Sequence, residues 1–132
     1  MKQKSKILLI FSICLVVGSS IVSPMAVGTP FSFILSAHGN KKSTEIVQKK
    51  NPGAAIVNVT SLSNASSFPV YVRIRAKIGD AYASQLGNIT GTGKKSLSYL
   101  SGYGKKSENY YMRMQTDSNS GYSASVVGNW TP

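Results

Sequence analysis

Cysteine is almost missing from this 132-residue chain: Cys14 is the only one, and it falls inside an apolar N-terminal run. Structural disulfides, thiol redox chemistry and thiolate metal sites are therefore excluded together for the rest of the protein. Histidine is as scarce, with His38 alone. A single imidazole in a turn, with no Gly-x-Ser-x-Gly elbow among the many serines, gives a Ser-His-Asp hydrolase no support. Ordinary zinc constellations fall away on the same count. Acids are the third shortage, limited to Glu45, Asp80, Glu108 and Asp117. A glycosidase sets two carboxylates about 5 to 10 Å apart across a cleft, and three of these four acids stand beside expected turns. Asp117 to Gly121, DSNSG, superficially resembles a calcium loop, but Gly121 stands at a ligand position and Gly128 where the closing glutamate belongs. The chain reads as non-enzymatic, with no cofactor, no metal and no evident small-molecule substrate.

Long hydrophobic runs are missing beyond the N-terminus. The opening MKQKSKILLIFSICLVVGSSIVSPMAVG has Lys2, Lys4 and Lys6 before an apolar run from Ile7 to Val17, then Gly18, Ser19 and Ser20. That layout is a secretory signal peptide, and Ala26 and Gly28 supply the small residues of a cleavage site before Thr29. We expect residues 1–28 to be the signal and residues 29–132 a single secreted domain, extracellular or associated with the cell envelope. The competing account is a retained anchor, because Ile7 to Val27 is just long enough to cross about 30 Å of hydrocarbon. Pro24 and the Gly-Ser-Ser break weigh against it.

Removing Lys2, Lys4 and Lys6 lowers the formal net charge from +11 to +8. Such an excess attracts polyanions in a salt-dependent way. Outside a cell the partners would be an anionic wall polymer, a membrane surface or released nucleic acid, and no specific nucleic-acid partner is read. Charge kept for solubility alone is the plain alternative.

No segment carries the helical apolar period over three turns, while period-two alternation recurs. In FSFILSA, Phe31, Phe33 and Leu35 share a face, and His38-Gly39-Asn40 signals a turn, with a return expected through Ser43 to Gln48. After Asn51-Pro52-Gly53, Ala55, Val57, Val59 and Ser61 alternate with Ile56, Asn58 and Thr60. VYVRIRAKI is the clearest strand: Val70, Val72, Ile74, Ala76 and Ile78 face one way, and Tyr71, Arg73, Arg75 and Lys77 the other. Weaker strands are expected over Gln85 to Thr90 and Ser96 to Ser101, and stronger ones in NYYMRMQT and YSASVVGNW. Six to eight short strands with frequent turns predict an all-β fold, a small antiparallel β-sandwich with hairpin and meander connections. Phe33, Val57, Val72, Ile74, Met112, Val126 and Trp130 are expected in its core, although a terminal tryptophan also suits display at an interface.

Two motifs compete for function. Gly-x-Gly-Lys-Lys-Ser occurs at Gly91 to Ser96 and again at Gly102 to Ser107. Gly87 to Gly93 has P-loop glycine spacing, but Lys94 is followed by Lys95 rather than by a hydroxyl. Both copies therefore read as hairpin turns, with Lys94, Lys95, Lys105 and Lys106 adding diffuse charge. The sharper constellation is Arg73, Arg75 and Lys77 beside Tyr71, three cations spaced at about 7 Å along one strand face. Pairing with the strand that holds Tyr111, Arg113 and Gln115 would give a basic, tyrosine-edged face suited to anions. The alternative is charge that merely keeps an open sheet from associating with another.

The opening FSF, the middle ITGTGKKSLSY and the closing GYSASVVGNWTP, together with the signal segment, resemble the small secreted Gram-positive proteins grouped as domain of unknown function 2712. That resemblance implies an exported β-rich protein of unknown biochemical role and carries over no catalytic residue. The chain is more loosely similar to the lactococcin 972-like bacteriocins, which are also exported and, like residues 29–132 here, free of cysteine, and this implies an antagonist of competing bacteria as the alternative function.

Overall fold

The computed structural model describes residues 28–132. The expected signal segment, residues 1–28, lies, but for Gly28, outside the described residues. Within them the alternating segments become nine strands: β1 Thr29–Leu35, β2 Lys41–Ser43, β3 Val47–Gln48, β4 Ala55–Asn64, β5 Val70–Ala76, β6 Gly87–Ile89, β7 Gly93–Leu97, β8 Asn109–Gln115 and β9 Ala124–Thr131. The expected six to eight is exceeded because β2, β3 and β6 are only two or three residues long. A 3-10 turn at Ile78–Asp80 follows β5.

The strands form two antiparallel sheets, one in the order β1-β9-β4-β7 and the other β2-β8-β5-β6, with β3 also on β8. Each contributes one apolar face to a common core. Phe31, Leu35, Val57, Val126 and Trp130 come from the first sheet, and Val72, Ile74, Tyr110, Met112 and Met114 from the second. The fold is an all-β sandwich. Phe33 is half-buried and packs on this core rather than inside it, its ring 5.4 Å from that of Phe31. Trp130 is fully buried between β1 and β4, opposite Thr29 and Val57, so its indole belongs to the core and not to an interface.

The connections differ from the expected meander. Only β5 and β6 are both consecutive and paired, whereas the other links between strands of different sheets cross the sandwich. The return expected against β1 goes instead to β8, with Lys42 opposite Met114 and Val47 opposite Tyr110. Period-two alternation states which side of a strand is buried and is equally satisfied by pairing within a sheet or by crossing to the facing one. The turn at His38 and Gly39, both at positive φ, makes one such crossing. Thr116 Oγ1 pins it, accepting from Gly39 N at 3.0 Å and donating to Ser36 O at 2.7 Å. Asp117 to Gly121, expected as a hairpin turn, is part of the neighbouring crossing from β8 to β9.

Two local departures shift side chains. The β4–β9 register slips between Val59 and Ser61, so Leu62 rather than Ser61 packs towards the core. This is a β-bulge, in which one extra residue reverses the facing of those that follow. Strand β5 stops at Ala76, where Gly79 and Asp80 take positive φ and Ala81 O accepts from Ala76 N at 3.0 Å. Ile78, expected on the core face, is consequently 87% exposed.

Candidate functional site

Strands β5 and β8 pair directly, placing Tyr71 opposite Gln115, Arg73 opposite Arg113 and Arg75 opposite Tyr111. The inward partners Val72, Ile74, Met112 and Met114 are buried, so strand alternation forces these polar side chains onto the outer face. Two further segments complete it. Strand β2 brings Lys41 beside Gln115 and Ser43 beside Arg113, and the chain reversal after Ala76 returns Tyr82 to bridge with Arg75. Together they frame a half-open concavity of about 330 Å³, lined by Lys41, Tyr71, Arg73, Arg75, Tyr82 and Arg113, among others.

The three arginines are held differently. Arg75 is paired: its Nε lies 2.9 Å from Asp80 Oδ1, and its guanidinium also donates to Asp80 O and, at 3.2 Å, to Tyr111 Oη. The hydrogen bond and charge of Arg75 hold the Asp80 carboxyl below its usual range. Arg113 donates to Ser43 Oγ at 3.1 Å and to Tyr111 Oη at 3.2 Å. Arg73 has a buried Nε with no hydrogen-bond partner. Its guanidinium instead lies over the Tyr82 ring, 4.1 Å from the centroid, with that of Arg75 at 4.7 Å from the same ring. Tyrosine faces stabilise and orient guanidinium groups, and an oriented guanidinium presents its remaining N–H groups in a fixed fork.

At one end Tyr71 Oη donates to Asp117 Oδ2 at 2.6 Å. This bond raises the Tyr71 pKa and lowers that of Asp117, whose other oxygen accepts from Asn119 N at 2.8 Å. Both carboxylates near the concavity are thus committed, and its unspent donors are cationic. Such an arrangement can hold an anion. Among the described residues no group of three or more His, Cys, Asp or Glu is placed to hold a metal ion.

Of the side chains expected on this face, Tyr71, Arg73, Arg75 and Arg113 are brought together. Lys77 is not. It sits beyond the end of β5 in αR geometry, exposed, its backbone N–H donating to Asn109 O at 3.0 Å. Lys41 and Tyr82 take part instead. Neither is marked by a local pattern, because one arrives by strand pairing across 74 positions and the other through a tight reversal.

The repeated Gly-x-Gly-Lys-Lys-Ser phrase has two different structures. In the first copy only Gly91 and Thr92 turn, while Lys94 and Lys95 lie in β7 opposite Asn58 and Val57. They are strand residues rather than turn residues, because Gly93 enters the ladder opposite Val59. The Lys95 stem also runs along the sandwich edge, 3.3 Å from where a Cβ on Gly87 of β6 would stand. In the second copy Lys105 and Lys106 are exposed, but the segment is part of the crossing from β7 to β8 and not the hairpin turn expected, because those strands belong to different sheets. Gly104, at φ +88, donates to Tyr110 Oη at 2.7 Å, and a Cβ there would strike the Tyr99 ring.

Comparison with protein-family models, with curated proteins and with solved structures gives no match.

Proposed function

We propose that this protein is a secreted, cationic, non-enzymatic β-sandwich that associates with anionic components of the cell envelope through the outer face of β5 and β8. The observation that carries this reading is the direct opposition of Arg73 and Arg113 across β5 and β8, in a solvent-facing concavity that Lys41 also lines. Like charges directly opposed across a ladder are unfavourable, and an anion bound between them would offset that cost. Lys94, Lys95, Lys105 and Lys106 lie on other elements and raise the general positive field without adding to this geometry.

Sedimentation of residues 29–132 with isolated cell walls and with anionic vesicles tests the reading. Binding is expected to weaken as salt rises, since exposed charge is screened beyond about 8 Å at physiological ionic strength. Replacing Lys41, Arg73 and Arg113 together by glutamine is expected to remove most of it, and replacing Lys94, Lys95 and Lys105 to remove much less. Equal losses from the two triple variants would mean that charge alone, and not this face, is responsible.

A further inference from the structure

The Arg73–Arg113 pair admits a more specific reading, which rests on the envelope-binding proposal. We infer that it holds a phosphodiester group, and that the concavity takes a polyol-phosphate chain. Residues directly opposite on antiparallel strands have Cβ atoms about 4.5 to 5.5 Å apart, and both arginines, rising from adjacent strands, line the same concavity. A carboxylate has two oxygens in one plane and is matched by a single guanidinium fork. A phosphodiester carries its charge on two non-bridging oxygens set apart on a tetrahedral phosphorus, with lone pairs accessible from both sides of the O–P–O plane, so guanidinium groups from two different strands can each take one. Tyr82 fixes the Arg73 plane, while Ser43 and Tyr111 fix that of Arg113.

A chain is favoured over an isolated phosphate by Lys41. It lies beside Gln115, two residues along β8 from Arg113, a step of roughly 7 Å at 3.4 Å per residue. A second phosphate of the same chain can therefore meet a second cation. The covered rings of Tyr82 and Tyr111 suit a polyol better than a nucleic acid. Tyr82 carries two guanidinium groups and Tyr111 carries that of Arg113 at 5.5 Å, whereas base recognition on single strands needs free aromatic platforms.

The experiment is a titration of residues 29–132, at physiological salt, with poly(glycerol phosphate), poly-glutamate of matched charge, an oligothymidylate, and phosphatidylglycerol vesicles. Poly(glycerol phosphate) is expected to bind at least tenfold more tightly than poly-glutamate or oligothymidylate. Arg73→Lys and Arg113→Lys, which keep the charge but lose the planar fork, are each expected to abolish that preference, with thermal unfolding reporting that they remain folded. Equal affinity for poly(glycerol phosphate) and poly-glutamate, with loss in the glutamine variants, would overturn the phosphate assignment and leave the envelope reading standing. Preference for oligothymidylate, or binding to vesicles without binding to poly(glycerol phosphate), would likewise overturn the chain assignment. Absence of binding to all four probes and to cell walls would remove both proposals.

Discussion

Replacing Arg73 by methionine should make the protein more stable while removing its anion site. The orphaned, buried Nε of Arg73 costs about 1 to 3 kcal/mol as an unsatisfied donor. Its position opposite Arg113 adds roughly 0.2 to 1 kcal/mol of like-charge repulsion. Against these stands the contact with the Tyr82 ring, worth about 0.5 to 1 kcal/mol at a partly exposed site. Methionine keeps most of the apolar stem packing, so little burial is lost. The balance is a gain of about 1 kcal/mol, or about 4 °C in midpoint for a domain of this size. Urea denaturation in a phosphate-free buffer of low ionic strength measures it. The gain should shrink as salt rises from about 20 mM to about 500 mM, because the repulsion is screened in the wild type. A loss of about 1 kcal/mol or more at low salt would refute the reasoning and make Arg73 a structural cross-link.

Two further outcomes follow from packing and ionisation. Gly128 lies in β9 where an added Cβ would fall on the Asn58 carbonyl of β4, so Gly128→Ala should destabilise by about 3 kcal/mol, and a denaturation midpoint like the wild type's would show that these central strands separate freely. Burial raises the pKa of Tyr99 and Tyr110 above the ordinary 10.0. Above pH 10 the folded state then keeps protons that the unfolded chain releases, so stability is fully present below pH 10 and falls as pH rises beyond it. Tyr99→Phe, which removes a buried hydroxyl that has no partner, should reduce this alkaline loss, as followed by denaturant midpoints from pH 9 upward. Lys49 acts in the opposite sense below 10.5, because burial lowers its pKa and the unfolded chain there holds more protons.

Much of this protein is written locally. Alternation in VYVRIRA and NYYMRMQ identified two strands, their buried sides and the outward direction of Tyr71, Arg73, Arg75 and Arg113. The scarcity of cysteine, histidine and acid residues narrowed the chemistry before any fold was known. These features are legible because a strand's facing depends only on parity along the chain. Tertiary structure decided what parity leaves open. It sent the chain across the sandwich after β1 where a hairpin was expected, ended β5 before Lys77, buried Trp130, and drew the first lysine pair into β7. It also placed Lys41 and Tyr82 beside the arginines. Neighbours in a sheet are chosen by burial of whole faces against one another, and that choice depends on every strand at once. The cations were therefore readable one strand at a time, while the concavity they form exists only because β2, β5, β8 and the reversal at Gly79 meet on one face.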